Sequence, residues 1–467
     1  MRNYKEKPIN IDIYQMRKLI FTGIFFCIIA INSYAQQAPP DTVKTHNFSL
    51  AECISYAYQH QDSVVNAGLD VKSADYKVKE TIGQGLPQIS GTAQFQDYLR
   101  LPVTLVDVSS FESTVPKGTL APFKLGLNYQ TTAALNLTQK IFDGTYLIGV
   151  KASKTYKELY QRSLTRSRIE TNVNVTKAYY QVLVSNEQIK LLDANIKQLK
   201  QQLDQTTAEN KQGLAEQIDV QRLTVQYNNL VTSKDNTVRL LELNYELLKF
   251  QMGMAIADDL ILTDKLENIS LDYVVGNNAD TSFYHNRIEY NLLETQVKLN
   301  QYDLKSKKSQ YLPSLSGFAN YGTSFQNNSF GSLYSANYPS SYIGLTLNVP
   351  IFSGFQHLNQ VKESKIAIMK SENDLVNLRN GIGLQANKAR ITYINGLQSL
   401  KSQRENMALA QEVLRVSKIK YSQGVGSSIE VTQAQTDLDS ADNSYIQSLY
   451  DALVSKVDLD QAYGRIQ

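Results

Sequence analysis

The chain has 467 residues, of which 42% are hydrophobic and 19% charged; that is too apolar for a disordered chain and enough for two or three ordinary domains. Its formal charge of +3 belongs to its first residues: positions 1–35 hold five of the 47 basic and two of the 44 acidic side chains, so 42 of each remain beyond them. A balanced chain carries no electrostatic footprint for nucleic acid, and two cysteines are too few for a disulfide framework.

The N-terminus reads as a targeting signal over residues 1–35. Met16-Arg17-Lys18 gives a basic start, with Met16 the expected initiation site. Leu19 to Ile31 is apolar apart from Thr22 and Gly23, and Ser33-Tyr34-Ala35 is a small-x-small cleavage site ahead of Gln36. A membrane anchor needs about 20 apolar residues, and this run is shorter. Cys27 lies inside the apolar core without the preceding Ala or Gly of a lipid-anchoring site. Cys53, beside Ile54 and Tyr58, reads as a small buried residue. No later run approaches 18 apolar residues, so no transmembrane helix is expected; an exported chain can still enter an outer membrane as β-strands.

Three anchors then recur in the same order. Leu86-Pro87-Gln88-Ile89-Ser90-Gly91 matches Leu312-Pro313-Ser314-Leu315-Ser316-Gly317, and Ile141-Phe142-Asp143-Gly144 matches Ile351-Phe352-Ser353-Gly354. The third pairs Gly213, Ile218, Asp219 and Val220 with Gly424, Ile429, Glu430 and Val431. Such self-similarity marks a duplication. The first repeat is placed at 36–270, with a strand hairpin at 87–141 and a helical hairpin at 145–250. The second is placed at 271–467, with a strand hairpin at 313–351 and a helical hairpin at 355–464. The first copy carries extra residues between its first two anchors, placed in Thr104 to Pro122.

Within each strand hairpin the pattern has a period of two. Leu125, Leu127, Tyr129, Ala133, Leu135, Leu137 and Ile141 alternate with Lys124, Asn128, Gln130, Thr132, Asn136 and Thr138; Ile343, Leu345, Leu347, Val349 and Ile351 alternate with Tyr342, Gly344, Thr346 and Asn348. The partner strands are carried by Ile89, Ala93, Phe95, Leu99 and Leu101, and by Leu315, Ala319, Tyr321 and Phe325. These lengths fit tilted membrane-spanning strands, with a water-soluble sandwich as the alternative. Tyr98, Tyr129, Tyr321, Tyr338 and Tyr342 are candidates for an interfacial aromatic belt.

After each strand hairpin the pattern becomes helical. Thr145 to Asn210 holds no Pro and only Gly149, and Phe355 to Gln423 again holds no Pro. At about 1.5 Å per residue each segment reaches on the order of 100 Å. Gly213 and Gly424 end these helices in the left-handed conformation that glycine favours. Second helices begin near Ile218 and Ile429, with Asp219 and Glu430 in their first turns, where an acid suits the positive helix end. Their stripes are Leu223, Tyr227, Leu230, Lys234, Val238, Leu241, Tyr245 and Leu248, and in register Ala434, Leu438, Ala441, Tyr445, Leu449, Ala452, Lys456 and Leu459. A mean spacing near 3.5 is that of coiled-coil-like packing.

Four strands leave two open edges that lipid cannot satisfy, so the chain needs copies of itself: two copies give eight strands and three give twelve. A signal peptide and two copies of strand hairpin plus helical hairpin, each with an acid after the tip glycine, resemble the TolC family of outer-membrane efflux and secretion channels. The resemblance runs from about Phe48 to Gly464, with Phe48-Ser49-Leu50-Ala51-Glu52-Cys53-Ile54 as the opening helix. It implies a mixed α and β membrane protein. In that fold, four strands per protomer build a trimeric twelve-stranded outer-membrane β-barrel, continued by a periplasmic α-helical barrel. Segments near Met252 to Asp280 and at the C-terminus would belt its middle.

The implied function is a passive exit duct of an efflux pump or type I secretion system, gated at the helical tips. The implied partners are two further copies, outer-membrane lipid, a periplasmic adaptor and an inner-membrane transporter. The tips at Gly213, Leu214, Gly424 and Val425 would dock the adaptor. The family's acid six residues past the first tip glycine is matched by Asp219, and its tyrosine three before the second by Tyr421; these two would hydrogen-bond across the closed tip. An arginine two residues past the second glycine is replaced by Gly426. The acid six past that glycine is kept as Glu430, one ring of three carboxylates favouring cations at the entrance, while a second acid three further on has become Gln433.

No constellation for catalysis or a cofactor is visible. His46, His60, His285 and His357 form no paired motif, Cys-x-x-Cys is absent, and Gly381-Ile382-Gly383 lies in a helical run rather than after a strand. The remaining alternative is a non-conducting trimeric surface stalk or adhesin, which requires one-way helices. The leader reading predicts that Edman sequencing of the exported protein begins at Gln36; a start upstream of Leu19 contradicts it.

Overall fold

The structure is a computed structural model that describes residues 45–110, 114–266, 269, 271 and 283–466. The expected signal peptide lies outside the described residues, as does most of the belt segment beyond 266. A small unit joins His46 to Ala257–Asp259, with His46 Nε2 3.8 Å from an Asp258 carboxylate oxygen. The large unit comprises residues 47–256 and 260–467.

Two helices come first, α1 (Leu50–His60) and α2 (Asp62–Gly83). Ser49 and Glu52 close a capping box at the start of α1, which satisfies the N–H groups of Ser49 and Glu52. Next come strands β1 (Gln88–Asp97), β2 (Val103–Asp107), β3 (Leu120–Lys124) and β4 (Tyr129–Phe142), then the long helix α3 (Gly144–Lys211) and its return α4 (Gln217–Met252). The second half runs α5 (Ile288–Ser309), β5 (Ser314–Asn327), β6 (Tyr338–Asn348), α6 (Gln356–Ser422) and α7 (Ser428–Ala462).

The main sheet is antiparallel in the order β1-β4-β5-β6, so the two strand hairpins join edge to edge through β4 and β5. Its register sorts the alternating residues onto two faces. Ile89, Ala93, Phe95, Ala133, Leu135, Leu137, Leu315, Ala319, Ile343, Leu345 and Leu347 share one. Gln94, Gln130, Asn136, Asn320, Ser324 and Thr346 share the other, where Asn320 Nδ2 donates to Asn136 Oδ1 at 2.6 Å. The apolar face is bare: Ile343 is 86% exposed. On the polar face Phe318 lies over Gly344, filling the space a side chain there would need.

Several strand details differ from the sequence reading. Alternation in the first copy continues through Leu125 and Leu127, yet β4 starts only at Tyr129, because Gly126 turns the chain at φ +104°. Leu99 and Leu101 likewise fall beyond the end of β1 at Asp97. The extra residues of the first copy build a separate small hairpin, β2 with β3. Of the tyrosines proposed for an aromatic belt, Tyr129 and Tyr321 lie on the apolar face, whereas Tyr338 and Tyr342 pair with Ser324 and Asn320 on the polar face. Tyr98 sits just past β1, its hydroxyl 3.2 Å from Gln96 Oε1.

Helices α2 and α5 are additions to the expected plan. Asp62 and Ile288 stand 226 positions apart, as do Gly83 and Ser309, the same offset as the Leu-Pro anchors. Each repeat is therefore helix, strand pair, helical hairpin. Helix α2 packs on α3 through Val64, Ala67, Ala74 and Val78 and through an ion pair, Lys157 Nζ to Asp75 at 2.6 Å.

The largest core joins α1, the middle of α3 and the end of α4. Cys53, Ala57, Val175, Tyr179, Val182, Leu248 and Met252 are buried together. Burial pushes the Cys53 thiol up to about 12, with the charges of Asp264 and Glu52 adding to it, so this cysteine is packing rather than a nucleophile. Tyr179 donates to Asp264 Oδ2 at 2.9 Å, and the Leu50 N–H shares that oxygen.

Gly253 ends α4 at φ +68°, and a Cβ there would stand 2.5 Å from the His60 carbonyl oxygen. Gly213 has a similar φ of +76° but open space around it. The left-handed conformation alone costs a non-glycine residue about 1–2 kcal/mol. Gly253→Ala is therefore expected to lower the melting temperature clearly more than Gly213→Ala, read by circular dichroism; equal shifts contradict the close packing of α1 on the α4 end.

Candidate functional site

The two helical tips are built alike. Gly213 and Gly424 are left-handed at φ +76° and +73°. The Leu214 N–H reaches back to Glu209 O at 2.9 Å and the Val425 N–H to Lys420 O at 3.0 Å, closing the last turns of α3 and α6. Asn210 Nδ2 also donates to Ala215 O at 2.8 Å. Leu214 and Val425 are 75% and 74% exposed, so each tip presents an apolar side chain outward.

Asp219 lies in the first turn of α4 and is mostly covered. Its Oδ1 accepts a short hydrogen bond from Ser428 Oγ, and Arg222 Nη1 stands 3.5 Å from the same oxygen and 3.4 Å from Ser428 Oγ. This joins the first hairpin to the second at the tip. Among the described contacts Tyr421 makes no hydrogen bond to Asp219, contrary to the sequence expectation. It packs instead on Leu414, Val431, Ala434 and Leu438, and burial, then the charges of Asp219 and Glu209, raise its phenol.

Sequence reasoning missed Arg222 and Ser428. Gly426 stands where the resemblance leads one to expect an arginine, and a Cβ there would meet Lys420 Cβ at 2.9 Å. The backbone leaves no room for a longer residue, and Arg222 brings a guanidinium to Asp219 from one turn along its own helix. Glu430 and Gln433 are exposed on α7. The Glu430 N–H caps onto Ser427 Oγ at 3.3 Å, and Gln433 Nε2 donates to Asp437 Oδ1 at 2.8 Å, so an acid follows one turn after the glutamine.

The two hairpins are held differently within and between themselves. Leu192, Leu199, Leu203, Leu223 and Leu230 form an apolar core inside the first, and Leu414, Val431, Ala434 and Leu438 one inside the second. Between the hairpins near the tips the contacts are polar: Arg222 and Asp219 to Ser428, and Gln226 Nε2 to Thr432 O at 3.1 Å. Further along, Val184, Ile446, Leu449 and Leu453 make an apolar contact between α3 and α7. Polar contacts can exchange with water at little net change, whereas apolar cores cannot.

Among the described residues no three His, Cys, Asp or Glu side chains stand close enough to hold a metal ion. The histidines are dispersed: the His60 ring stacks on Tyr56 at 3.9 Å, His285 lies beside Tyr284 and Tyr290, and His357 meets Tyr311 edge-on. Among the described residues no helix is long and apolar enough to cross a membrane, and Gly381-Ile382-Gly383 lies inside α6.

The family model for outer membrane efflux proteins matches residues 53–230 and 285–465, one stretch in each repeat. Outer membrane protein TolC of Salmonella enteritidis is 22% identical over 349 residues, 72% of this chain and 70% of that protein. The alkaline protease secretion protein AprF of Pseudomonas aeruginosa is 22% identical over 361 residues, 74% of this chain and 72% of that protein. The solved structure of CusC, described as forming a transmembrane channel, superimposes with a TM-score of 0.73 at 15% identity, over 92% of this chain and 95% of that one. A one-way helical stalk does not have this fold, in which both tips turn one long helix into a second that shares its core. By the match to both repeats, the chain belongs to the outer membrane efflux protein family of the bacterial outer membrane.

Proposed function

We propose that three copies of this chain form a passive exit duct, a twelve-stranded barrel in the outer membrane continued by a barrel of helices in the periplasm. The observation that carries this reading is the two-faced sheet. Its apolar face suits lipid, its Asn, Gln, Ser and Thr face suits water, and its edge strands β1 and β6 need partners that only other copies supply. The helices support it too. Val225, Leu240, Leu243, Leu247 and Phe250 leave an exposed apolar stripe on α4, and Ile366, Met369, Val376, Leu384 and Ile391 leave one on α6. Recurring at turns of the helix, these stripes suit packing on neighbouring copies.

In this reading the chain does no chemistry. An inner-membrane transporter loads the duct through a periplasmic adaptor, which docks on the apolar tips around Gly213, Leu214, Gly424 and Val425. The family name and the secretion relative support export of small molecules or of proteins by the same architecture. Asp219, with Ser428 and Arg222, holds the tips of the two hairpins together, and Tyr421 packs behind them. Glu430, repeated by symmetry, places three carboxylates at the entrance beside Gln433, and the hairpins part when the polar contacts yield.

A hydrogen bond to a charged group contributes about 1.5–3 kcal/mol, so removing it shifts a closed–open equilibrium by about tenfold or more. Asp219→Ala with Ser428→Ala is expected to raise single-channel conductance in planar bilayers, whereas Tyr421→Phe alone leaves it near the parent value. A double variant that conducts no better than the parent contradicts the assigned tie. Glu430→Gln is expected to reduce cation preference, read as a shift of reversal potential toward zero in a salt gradient; an unchanged potential removes Glu430 from the entrance.

A further inference from the structure

The strand hairpins of the two repeats correspond residue by residue. Leu86 and Leu312 stand 226 positions apart, and Ile141 and Ile351 stand 210 apart. With those offsets the pairing of β1 with β4 matches that of β5 with β6. Gln88 opposite Thr138 answers Ser314 opposite Asn348, and Ile89 opposite Leu137 answers Leu315 opposite Leu347. The match holds to the far end, where Asp97 opposite Tyr129 answers Thr323 opposite Pro339. The seam between β4 and β5 is therefore the place where one hairpin adjoins the next equivalent one.

The two outer edges of the sheet are the same kind of edge as that seam. Strand β6 is the second repeat's counterpart of β4, and β1 is the first repeat's counterpart of β5. What β4 finds in β5, β6 lacks within the chain. The helices beside the sheet show the same missing neighbour. Helix α5 packs on both α3 and α6, and its Thr295 is fully buried. Leu69 holds the equivalent position on α2, 226 residues earlier, and is 53% exposed.

We propose that β6 of one copy pairs with β1 of the next in the register that β4 keeps with β5, an inference that rests on the ring of copies argued above. Carried across by the two offsets, Leu135 opposite Tyr321 becomes Leu345 opposite Phe95 of the next copy. Leu137 opposite Ala319 becomes Leu347 opposite Ala93 of the next copy, and Asn136 opposite Asn320 becomes Thr346 opposite Gln94 of the next copy. The faces agree across the boundary, apolar beside apolar and polar beside polar. A slip of one residue would set Leu345 beside a glutamine and reverse the faces. A threonine hydroxyl facing a glutamine amide can also make the kind of hydrogen bond that Asn320 makes to Asn136 at 2.6 Å. Within the chain the register breaks after Lys140, whose counterpart is Pro350. Proline has no N–H to donate, so the ladder between copies ends at the same level.

A slip of two residues keeps the faces, so disulfide trapping is the test that resolves the register. Directly opposed residues of an antiparallel pair have Cα atoms about 4.5–5.5 Å apart, within disulfide reach, whereas diagonal neighbours stand about 7–8 Å apart and beyond it. The full chain in outer membranes, carrying Phe95→Cys with Leu345→Cys, is expected to give linked pairs and trios of chains on non-reducing denaturing gels after mild oxidation. Gln94→Cys with Thr346→Cys, on the other face, is expected to do the same. Ala93→Cys with Leu345→Cys and Asp97→Cys with Leu345→Cys are expected to stay as single chains, as is the parent with its buried Cys53. Linking of a displaced pair as complete as that of the aligned pairs overturns the register and leaves the ring standing. No linking of either aligned pair, in material that native mass spectrometry shows as three chains, also overturns the inference without the ring. A single chain in that spectrum removes both.

Discussion

The peptide groups along β1 and β6 constrain this protein more than any other feature. A sheet of four strands with one apolar and one polar face has a place in a bilayer only when both edges are paired, because hydrocarbon offers no hydrogen bonds to the exposed N–H and C=O groups. The chain holds no further strand of that length among its described residues to close the wall. Symmetric association is the economical solution, since identical β1 and β6 edges of neighbouring copies complement one another around a ring. In the proposed ring the helical part takes the same symmetry, which gives the bare stripes on α4 and α6 neighbours to pack on.

Below the sheet, the division between apolar and polar contacts decides what can move. Each helical hairpin is zipped by leucine, valine and alanine along its own seam. The contacts between hairpins are apolar where α3 meets α7 at Val184 and Leu453, and polar toward the tips. A structure built this way keeps each hairpin as a unit and concentrates its freedom at the tips, where water can replace the lost hydrogen bonds.

The duplicated plan was legible because a tip glycine, a Leu-Pro start and an Ile-Phe turn repeat in order, and because the stripe from Leu223 to Leu248 reappears from Ala434 to Leu459. Helices α2 and α5 were hard to read from apolar pattern: half of their buried positions are small or polar, Ala67, Ala74, Thr295 and Ser309 among them, and only Val64, Val78, Ile288 and Val297 carry a larger apolar side chain. Only the 226-residue offset betrays them. Strand ends were misjudged where alternation runs on past a glycine turn, as at Leu125 and Leu127. The partner of Asp219 was out of reach for another reason. Ser428 is 209 residues away, and nothing local in either helix says which side chains meet when two hairpins lie side by side.

Native mass spectrometry of the protein extracted from outer membranes tests the shared wall most directly. The account predicts particles of three chains that remain associated until the detergent is made denaturing. A stable single chain, folded and alone under the same gentle conditions, would contradict it.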